Sequence, residues 1–233
     1  MSKPFVSAIV VAAGTGSRMK AGINKQYLYL GGKPVLAHTL LAFEKCQIID
    51  EVILVISKND FDVCRAEVIK PNKIKKIKEI VAGGNSRQES MYNGLLKVNK
   101  KADIVITHDG ARPLVHQNTL LKCVEKTLEY GATVVAVPVK ETIKVVNDDL
   151  EVVHTPKRAE LWSVQTPQTF NYEILLRAHE KAKEEGFIGT DDSMLVERLD
   201  FPIKIVKGHY DNIKITTPED LIIAESIIQI FPE

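Results

Sequence analysis

The sequence is poor in cysteine and has no long hydrophobic run, and each absence excludes a class of protein. Only three cysteines occur in 233 residues, Cys46, Cys64 and Cys123, and none belongs to a CxxC pair. An odd number of widely spaced cysteines argues against a disulfide framework or a zinc knuckle, so we expect buried free thiols in a reducing compartment. No apolar run approaches the roughly 20 residues of a transmembrane helix, and no signal-peptide cleavage pattern follows the N-terminus. These features predict a cytoplasmic protein without a membrane partner.

The sequence also lacks an excess of charge of either sign. Its 31 Lys and Arg residues nearly cancel its 30 Asp and Glu residues. No overall field would attract nucleic acid or an anionic membrane, so an anionic ligand must be held by a local arrangement. At this length, with 45% hydrophobic residues, the chain can bury a full core, and we expect one domain over residues 1–233.

Short β-branched segments alternate with segments of helical apolar spacing. "FVSAIVV" and "EVILVIS" predict strands, and "PVLAHTLLAFEKC" between them predicts a helix. This alternation predicts an α/β fold, a Rossmann-like three-layer sandwich with a mostly parallel sheet. Residues 140–161 interrupt it with two short strand-like runs around the turn signal "NDD", which predict a protruding β-hairpin arm. An isolated hairpin is marginally stable, which favours packing on a second subunit of a homodimer; folding back on its own domain is the alternative.

Glycine-rich loops follow two predicted strands, at the sheet edge where ligands of such folds bind. The first is "AAGTGSRM", in which the small residues allow close approach of a ligand and successive N–H groups can form an anion-binding nest. Arg18 and Lys25 add positive charge there; a solvated loop with incidental cations is the alternative. The second is "GGNSRQES", where N–H groups and the Arg87 and Ser90 side chains could contact a base or phosphates. A plain turn with an N-cap at Asn85 or Ser86 would explain the same residues.

A third loop, "HDGARP", places an acid at the end of a central strand. Such an acid is costly to bury unless it binds a cation or accepts hydrogen bonds, so Asp109 is a candidate ligand for a metal or a hydroxyl group and Arg112 for an anion. The alternative is an internal Asp109–Arg112 pair that stiffens the turn. We expect His108 to be structural, because no Ser or Cys nucleophile signature accompanies it.

The last third of the chain carries three further loop candidates, "QTPQTF", "GTDDSM" and "DNIKITTPEDL". Lys214 lies between two isoleucines in an alternating run and could point inward, although a solvated strand lysine is the default expectation. Asp191 and Asp192 are more typical of a helix N-terminus than of a metal site. Asp211 is a weaker candidate metal ligand than Asp109.

Taken together, the loops describe one cleft suited to nucleotidyl transfer. It has a cationic glycine-rich wall for a triphosphate, a second glycine turn for a base, an acid for Mg²⁺ and distal cations for another anion. No residue is an obvious nucleophile, which suits attack on phosphorus by a substrate phosphate that is already ionised. Catalysis then depends on alignment and charge neutralisation.

The motifs "AAGTGSRM", "KQY", "GGNSRQESMYNGL", "HDGARP", "ETIK", "LWSVQTPQTF", "TDDSM" and "DNIKITTPEDL" occur in this order along the whole chain. In this the sequence resembles the 2-C-methyl-D-erythritol 4-phosphate cytidylyltransferases of non-mevalonate isoprenoid precursor biosynthesis. The resemblance implies a homodimeric, Mg²⁺-dependent enzyme that converts CTP and methylerythritol phosphate into the cytidine diphosphate derivative and pyrophosphate.

The resemblance also implies roles for individual residues. Arg18 and Lys25 would be catalytic, stabilising the pentacoordinate phosphorus and the leaving pyrophosphate. Residues expected to contact CTP are Ala12, Ala13, Gly14, Gly16, Gly84, Asn85, Arg87, Ser90, Asp109 and Gly110. Residues expected to surround the polyol phosphate are Asp109, Arg112, Thr142, Arg158, Thr166, Thr190 and Lys214, with Thr142 and Arg158 carried by the arm into the partner's cleft. Asp109 and Asp211 are the expected metal ligands.

The sequence departs from the family pattern at two positions and leaves two other functions open. Glu141 stands where Asp is expected before "TIK", and Asn85 stands where some members have Asp. A cytidylyltransferase acting on ribitol 5-phosphate shares most of these motifs, but the presence of both Arg158 and Lys214 favours methylerythritol phosphate. A non-catalytic nucleotide-binding regulator is disfavoured, because binding CTP alone would not require both Arg18 and Lys25.

Overall fold

The computed structural model describes residues 3–14 and 24–230. Its strands are, in chain order, β1 (Val6–Ala12), β2 (Tyr29–Leu30), β3 (Lys33–Pro34), β4 (Glu51–Ile56), β5 (Ile77–Ala82), β6 (Ile104–Asp109), β7 (Ala132–Pro138), β8 (Val145–Val146), β9 (Val152–His154), β10 (Trp162–Asn171) and β11 (Lys204–Lys207). Its α-helices are α1 (Val35–Lys45), α2 (Phe61–Val63), α3 (Arg87–Leu95), α4 (Gln117–Tyr130), α5 (Tyr172–Glu184), α6 (Asp192–Glu197) and α7 (Pro218–Ile230). Short 3₁₀ turns lie at Lys25–Tyr27, Lys58–Asp60 and Arg158–Glu160, and a π-helical turn at Cys64–Ile69 continues α2.

Seven strands form the central sheet in the order β11-β7-β10-β6-β1-β4-β5. β1 pairs in parallel with β4 and β6, β4 with β5, and β7 with β11. Only β10 runs against its neighbours β6 and β7 within this sheet. The predicted mostly parallel sheet is thus confirmed, and the carboxyl ends of β1, β5 and β6 lie along one edge.

Side chains that point alternately to the two faces of the sheet form a hydrophobic core on each face. Val6, Ala8 and Val10 of β1 face a cluster with residues of α1 and α4, whereas Ile9 faces a cluster with residues of α3, α5 and α6. Successive side chains of a strand point to opposite faces of the sheet. When the side chains on both faces are apolar, helices must cover both faces. This is the predicted three-layer sandwich.

The structure changes one prediction, the loop assigned to "QTPQTF". These residues lie inside β10, which continues to Asn171 after a register shift between Val164 and Gln168. Gly, Pro and polar residues normally favour a loop. Here the polar side chains of Thr166, Gln168 and Thr169 are buried. Thr166 accepts a hydrogen bond from the Asp109 amide and Gln168 accepts one from the Ser193 amide, which lets these two polar residues lie inside a strand.

The predicted hairpin is present within residues 140–161. β8 and β9 pair in antiparallel fashion around a turn in which the Asn147 side chain accepts a hydrogen bond from the Glu151 amide at 2.9 Å. Every residue from 140 to 155 is exposed, including apolar Ile143, Val146 and Val152.

The three cysteines are buried free thiols, as predicted. Among the helices of the described residues, none has the length and apolar character required to cross a bilayer.

Candidate active site

The centre of the candidate site is the Asp109 carboxylate, at the C-terminal end of β6. Its Oδ2 lies 2.8 Å from Nζ of Lys214 and 3.7 Å from Nε of Arg112, and its Oδ1 lies 3.5 Å from Nε of Arg87. Burial by itself would raise the pKa of Asp109, but these three cations together lower it well below the ordinary value. An ionised acid therefore gathers three cationic side chains from three separate segments of the chain.

Buried neighbours fix the position of Asp109. Its backbone N–H donates to Oγ1 of Thr166 at 3.1 Å, and the same hydroxyl lies 2.9 Å from Nδ1 of His108. Burial lowers the pKa of His108 to about 4, so the ring is neutral at physiological pH. His108 is structural, as expected. The hydroxyl of Thr166 braces the end of β6, and its predicted contact with a polyol phosphate stays a prediction.

Arg112 and Lys214 are held by the loop that follows β11. Nη1 of Arg112 donates to the carbonyl of Asn212 at 2.8 Å, and the Asn212 side chain donates to the carbonyl of Thr166 at 2.8 Å. The buried Ile215 anchors the next residue by donating its N–H to the carbonyl of Ala111 at 2.8 Å. Lys214 therefore points inward, and the default expectation of a solvated strand lysine is wrong. Both Arg112 and Lys214 belong to one cleft of about 490 Å³, bordered also by Lys140, Glu141 and Tyr210.

Arg87 bridges Asp109 to a second buried acid. Its Nη2 lies 3.0 Å from Oδ2 of Asp192, and the other oxygen of Asp192 lies 3.3 Å from Nε2 of His179. Asp192 is 1% exposed; burial alone would raise its pKa, but the Arg87 charge and the nearby His179 ring lower it below the ordinary value. Asp191 caps α6 by accepting from the N–H of Met194 at 2.9 Å. The predicted helix N-terminal pair is thus confirmed, with Asp191 as the N-cap and Asp192 in the first turn of α6, and Asp192 also belongs to the ion-pair network.

The loops after β1, β5 and β6 meet through glycine contacts. A Cβ on Gly83 would lie 2.3 Å from Cβ of Ala13, and a Cβ on Gly110 would lie 2.8 Å from Cβ of Ala12. The glycines therefore permit contact between neighbouring loops, which packs the small residues of the first loop against the ends of β5 and β6. This packing is a second role for the small residues, beside the predicted close approach of a ligand.

Hydrogen bonds within the turn after β5 account for several of its polar groups. The amide of Gly84 donates to Oγ of Ser90 at 3.0 Å, and Ser90 donates to the carbonyl of Ser86 at 2.8 Å. Ser86 caps α3, and Glu89 accepts from the amide of Asn85 at 2.7 Å. The N-cap interpretation of this segment is therefore confirmed at Ser86, and Ser90 stabilises the turn from a buried position.

The catalytic candidates lie in the segment between β1 and β2. Lys25 begins the 3₁₀ turn Lys25–Tyr27 and is partly exposed. The next residue, Gln26, is buried and donates from Nε2 to the carbonyl of Ala12 at 2.9 Å, which ties this turn to the end of β1. Arg18 and Gly16 lie outside the described residues, and Gly14 is the last residue described before residue 24.

Four predicted site residues stand apart from the Asp109 cluster. Thr142 and Arg158 are exposed residues of the arm segment, and Nη1 of Arg158 donates to the carbonyl of Lys140 at 3.1 Å. Thr190 is also exposed. Within the described part of the chain, none of these three joins the ion pairs around Asp109. Asp211 faces His116, whose Nε2 lies 2.9 Å from both carboxylate oxygens, and its expected role as a metal ligand stays a prediction.

Sequence reasoning missed two residues that position the site, Asp192 and Asn212. The pair of acids in "GTDDSM" was the available signal for Asp192. Acids at a helix N-terminus are common, however, so the pair did not by itself point to a buried ion pair. Asn212 precedes Lys214 by two residues, and only the fold shows that its amide spans to β10.

Comparison with known proteins finds relatives along almost the entire chain. A family model described as 2-C-methyl-D-erythritol 4-phosphate cytidylyltransferase matches residues 6–230. The protein of that name from Alkaliphilus metalliredigens (strain QYMF) is 48% identical over 223 residues, which cover 96% of this chain and 92% of the relative. The protein of that name from Caldanaerobacter subterraneus subsp. tengcongensis is 48% identical over 224 residues, which cover 96% of this chain and 99% of the relative.

Solved structures agree with this result. The crystal structure of 4-diphosphocytidyl-2C-methyl-D-erythritol synthase from Anaerococcus prevotii DSM 20548 has a TM-score of 0.87 and 37% sequence identity, with 97% of each chain covered. The 2-C-methyl-D-erythritol 4-phosphate cytidylyltransferase of Thermus thermophilus has a TM-score of 0.79 and 30% identity, covering 97% of this chain and 99% of that one. The similarity thus spans every segment that contributes to the Asp109 cluster.

Proposed function

The chain belongs to the 2-C-methyl-D-erythritol 4-phosphate cytidylyltransferase family, and on that premise we propose how its cleft transfers CMP from CTP to 2-C-methyl-D-erythritol 4-phosphate. The chain is a cytidylyltransferase; its products are 4-diphosphocytidyl-2-C-methyl-D-erythritol and pyrophosphate. The observation that carries the residue assignment is the cluster of Arg87, Arg112 and Lys214 around Asp109 at the carboxyl edge of the sheet.

The reaction joins two polyanions, which sets the electrostatic problem. An oxygen of the substrate phosphate forms a new bond to the α-phosphorus of CTP, and the bond from that phosphorus to the bridging oxygen of the β-phosphate breaks. Pyrophosphate leaves with the electron pair. Because the attacking oxygen is already ionised, the protein needs no general base, and its cations must instead offset the repulsion between the substrates and the charge of the transition state.

We assign the two sides of the cleft to the two substrates. The CTP side comprises three segments: the end of β1 with the residues that follow it (Ala12, Ala13, Gly14 and Gly16), the turn after β5 with the start of α3 (Gly84, Asn85, Arg87 and Ser90), and the end of β6 with the next residue (Asp109 and Gly110). The polyol-phosphate side comprises Arg112 and Lys214, with Thr166 bracing Asp109 between the two. This division rests on the position of Arg112 and Lys214 in the 490 Å³ cleft and of Arg87 at the first position of α3.

Arg18 and Lys25 act at the reacting phosphorus in this proposal. A cation placed against the α-phosphate binds the pentacoordinate transition state more tightly than the ground state, because charge grows on the bridging oxygen as the bond breaks. The hydrogen bond from Gln26 to Ala12 supports this role, since it fixes the turn that carries Lys25 next to the glycine-rich loop.

A divalent cation, Mg²⁺, completes the charge balance of the triphosphate. Mg²⁺ prefers carboxylate and phosphate oxygens and keeps several waters, so one protein carboxylate beside a triphosphate is a sufficient protein contribution. Asp109 fits as that carboxylate, because it is ionised and lies at the end of β6. Because Asp109 already contacts three cationic side chains, the triphosphate would supply most of the ligands of the ion. When bound, the ion would neutralise part of the triphosphate charge.

Removal of the ion tests this requirement. Excess chelator should abolish pyrophosphate release. Full turnover in the presence of chelator would contradict a metal requirement.

The arm provides the remaining groups from a second subunit of a homodimer. Residues 140–155 are all exposed, and the apolar side chains of Ile143, Val146 and Val152 would be covered by a partner. Dimerisation through the arm would carry Thr142 and Arg158 toward the partner's polyol-phosphate side, and Thr190 stays a predicted contact of the polyol phosphate.

A substrate comparison tests the function directly. Purified protein is given CTP and Mg²⁺ with either methylerythritol phosphate or ribitol 5-phosphate, and pyrophosphate release is followed. We expect turnover with methylerythritol phosphate, and a large excess of kcat/KM for it. Faster turnover of ribitol 5-phosphate would reassign the polyol side, and CTP binding without pyrophosphate release from either acceptor would indicate a nucleotide-binding regulator.

A further inference from the structure

A group of potential metal ligands lies outside the cleft just described, where the segment after β6 meets the loop after β11. Nε2 of His116 is 2.9 Å from both oxygens of Asp211, and the His116 and His209 rings stack with centroids 4.0 Å apart and planes 7° apart. One ligand atom from each of the three residues can be chosen such that all lie within 4.8 Å of one another. We propose that His116, His209 and Asp211 form a binding site for a transition-metal ion of the Zn²⁺ class.

The chemistry of the three ligands selects the ion. Two imidazoles and one carboxylate are a donor set that suits Zn²⁺ and its first-row neighbours, whereas Mg²⁺ favours oxygen ligands alone. Three protein ligands leave a fourth tetrahedral position for water. His209 is exposed and the other two residues are partly exposed, so an ion has access from solvent.

Binding requires a modest closure of the cluster. With bonds of about 2.0 Å and tetrahedral angles, neighbouring ligand atoms of a zinc site lie roughly 3.3 Å apart. The ligand atoms here lie within 4.8 Å, so they must approach one another by at most about 1.5 Å. The lone pairs of two stacked rings lie in nearly parallel planes, so one ring must rotate before both nitrogens can point at one ion. The exposed ring of His209 is free of core packing and can make this rotation. At Asp211 the ion would take the place of the present contact with Nε2 of His116.

The backbones that carry the ligands are already fixed, which reduces the entropy lost on binding. His116 is the N-cap residue of α4, and its carbonyl accepts from the amide of Thr119 at 3.0 Å. The carbonyl of His209 accepts from Nε2 of Gln165 at 2.9 Å. Only side-chain movement is then needed to complete the site.

The position of the site gives the ion a structural consequence. His116 lies seven positions after Asp109, on the segment that also carries Arg112, while His209 and Asp211 precede Asn212 and Lys214 in the loop after β11. An ion bound to all three residues would cross-link these two segments beside the 2.8 Å hydrogen bond from Arg112 to Asn212. Metal binding would therefore stabilise the loop that presents Lys214.

The test measures metal binding in the absence of nucleotide. Protein stripped with chelator is dialysed against Zn²⁺ in a large excess of Mg²⁺, and bound zinc is measured per chain by mass spectrometry. We expect one Zn²⁺ per chain and a higher thermal midpoint with Zn²⁺ than without. His116→Ala and His209→Ala should each weaken binding at least about 10-fold, the loss typical even of groups that only support a ligand. His154→Ala, at an exposed histidine of the arm, is the matched control and should bind Zn²⁺ as the unaltered protein does.

Cobalt identifies the ligands by spectroscopy and covers the case of an unstable variant. Co²⁺ bound by two imidazoles and a carboxylate gives visible bands of tetrahedral character without a thiolate charge-transfer band. We expect this spectrum for the unaltered protein and its loss in His209→Ala, whose apo circular dichroism should be unchanged because His209 is exposed. No zinc retention by the unaltered protein, equal retention by the double variant of His116 and His209, or a thiolate band would each overturn the proposal.

Discussion

Replacing Asp192 with asparagine tests whether a buried ion pair organises the CTP side of the cleft. Asp192 is 1% exposed, its Oδ2 lies 3.0 Å from Nη2 of Arg87, and its Oδ1 lies 3.3 Å from Nε2 of His179. The substitution keeps the size of the side chain and removes its charge. It leaves the Arg87 guanidinium with Asp109 as its remaining anionic neighbour, at 3.5 Å.

The structure sets the expected size of the effect. Removing one charge of a fully buried pair costs about 3–5 kcal/mol. Arg87 is 28% exposed and keeps a second carboxylate, and both facts reduce the penalty, so we expect a loss of about 2–3 kcal/mol in the free energy of unfolding. For a domain of this length that corresponds to a fall of about 5–10 °C in the thermal midpoint.

The same ion pair predicts a pH dependence. The pKa of Asp192 is lowered in the folded protein, so the carboxylate contributes stability that is fully present above its unfolded-state pKa of about 3.9 and is lost as the pH falls through the folded-state value. The difference in midpoint between the unaltered protein and Asp192→Asn should therefore be constant near neutral pH and shrink below about pH 4.

Differential scanning calorimetry at several pH values provides the assay, and Asp191→Asn is the matched control. The control makes the same chemical change one residue earlier, where asparagine can retain the N-cap interaction with Met194 but loses the oxygen that accepts from Nε2 of Gln168 at 2.7 Å, so it should cost about 1 kcal/mol. Equal midpoints for the two variants at neutral pH would refute a stabilising role of the Arg87–Asp192 pair. A difference that persists unchanged below pH 3 would show that the charge of Asp192 is not its cause.

Three further predictions concern activity. Lys25→Ala should lower kcat about 10²- to 10³-fold while CTP affinity by isothermal titration changes little, because its charge is used mainly in the transition state; equal losses of affinity and turnover would make Lys25 a simple binder. Lys214→Ala should raise the KM for the polyol phosphate about 10- to 100-fold, which corresponds to the free energy of one charge-assisted hydrogen bond. The control Lys207→Ala, at an exposed lysine of β11, should leave the KM unchanged. An unchanged KM in Lys214→Ala would show that the phosphate binds elsewhere. Co-expressed Lys25→Ala and Arg158→Ala chains should regain roughly a quarter of normal activity, because about half of randomly paired dimers are mixed and each mixed dimer has one intact cleft. Mixed dimers can be isolated with two affinity tags. If they remain inactive, Arg158 acts in the cleft of its own subunit.

Much of the architecture could be predicted from local patterns. Alternating apolar segments and helical spacing gave the mostly parallel sheet and its two covered faces, because both signals depend only on neighbours along the chain. The turn signal around Asn147 gave the hairpin for the same reason. The strand β10 was only partly predicted, since Thr166, Gln168 and Thr169 look like loop residues until β6 and β7 supply their hydrogen-bond partners.

The site divides in a similar way. Residue types and their position after strands identified Asp109, Arg87, Arg112 and Lys214 as members of one cleft, because the carboxyl ends of parallel strands share an edge. The sequence could not show which charges meet. Only the tertiary structure decides that Asp109 pairs with three cations, that Asp192 joins them through Arg87, and that Asp211 faces two histidines instead of Asp109. The contacts of Arg87 join residues 22 and 105 positions apart, whereas the Asp109–Arg112 pair is local, three positions apart. A distant charge pairs according to distance and burial in space, quantities that no local pattern of the chain contains.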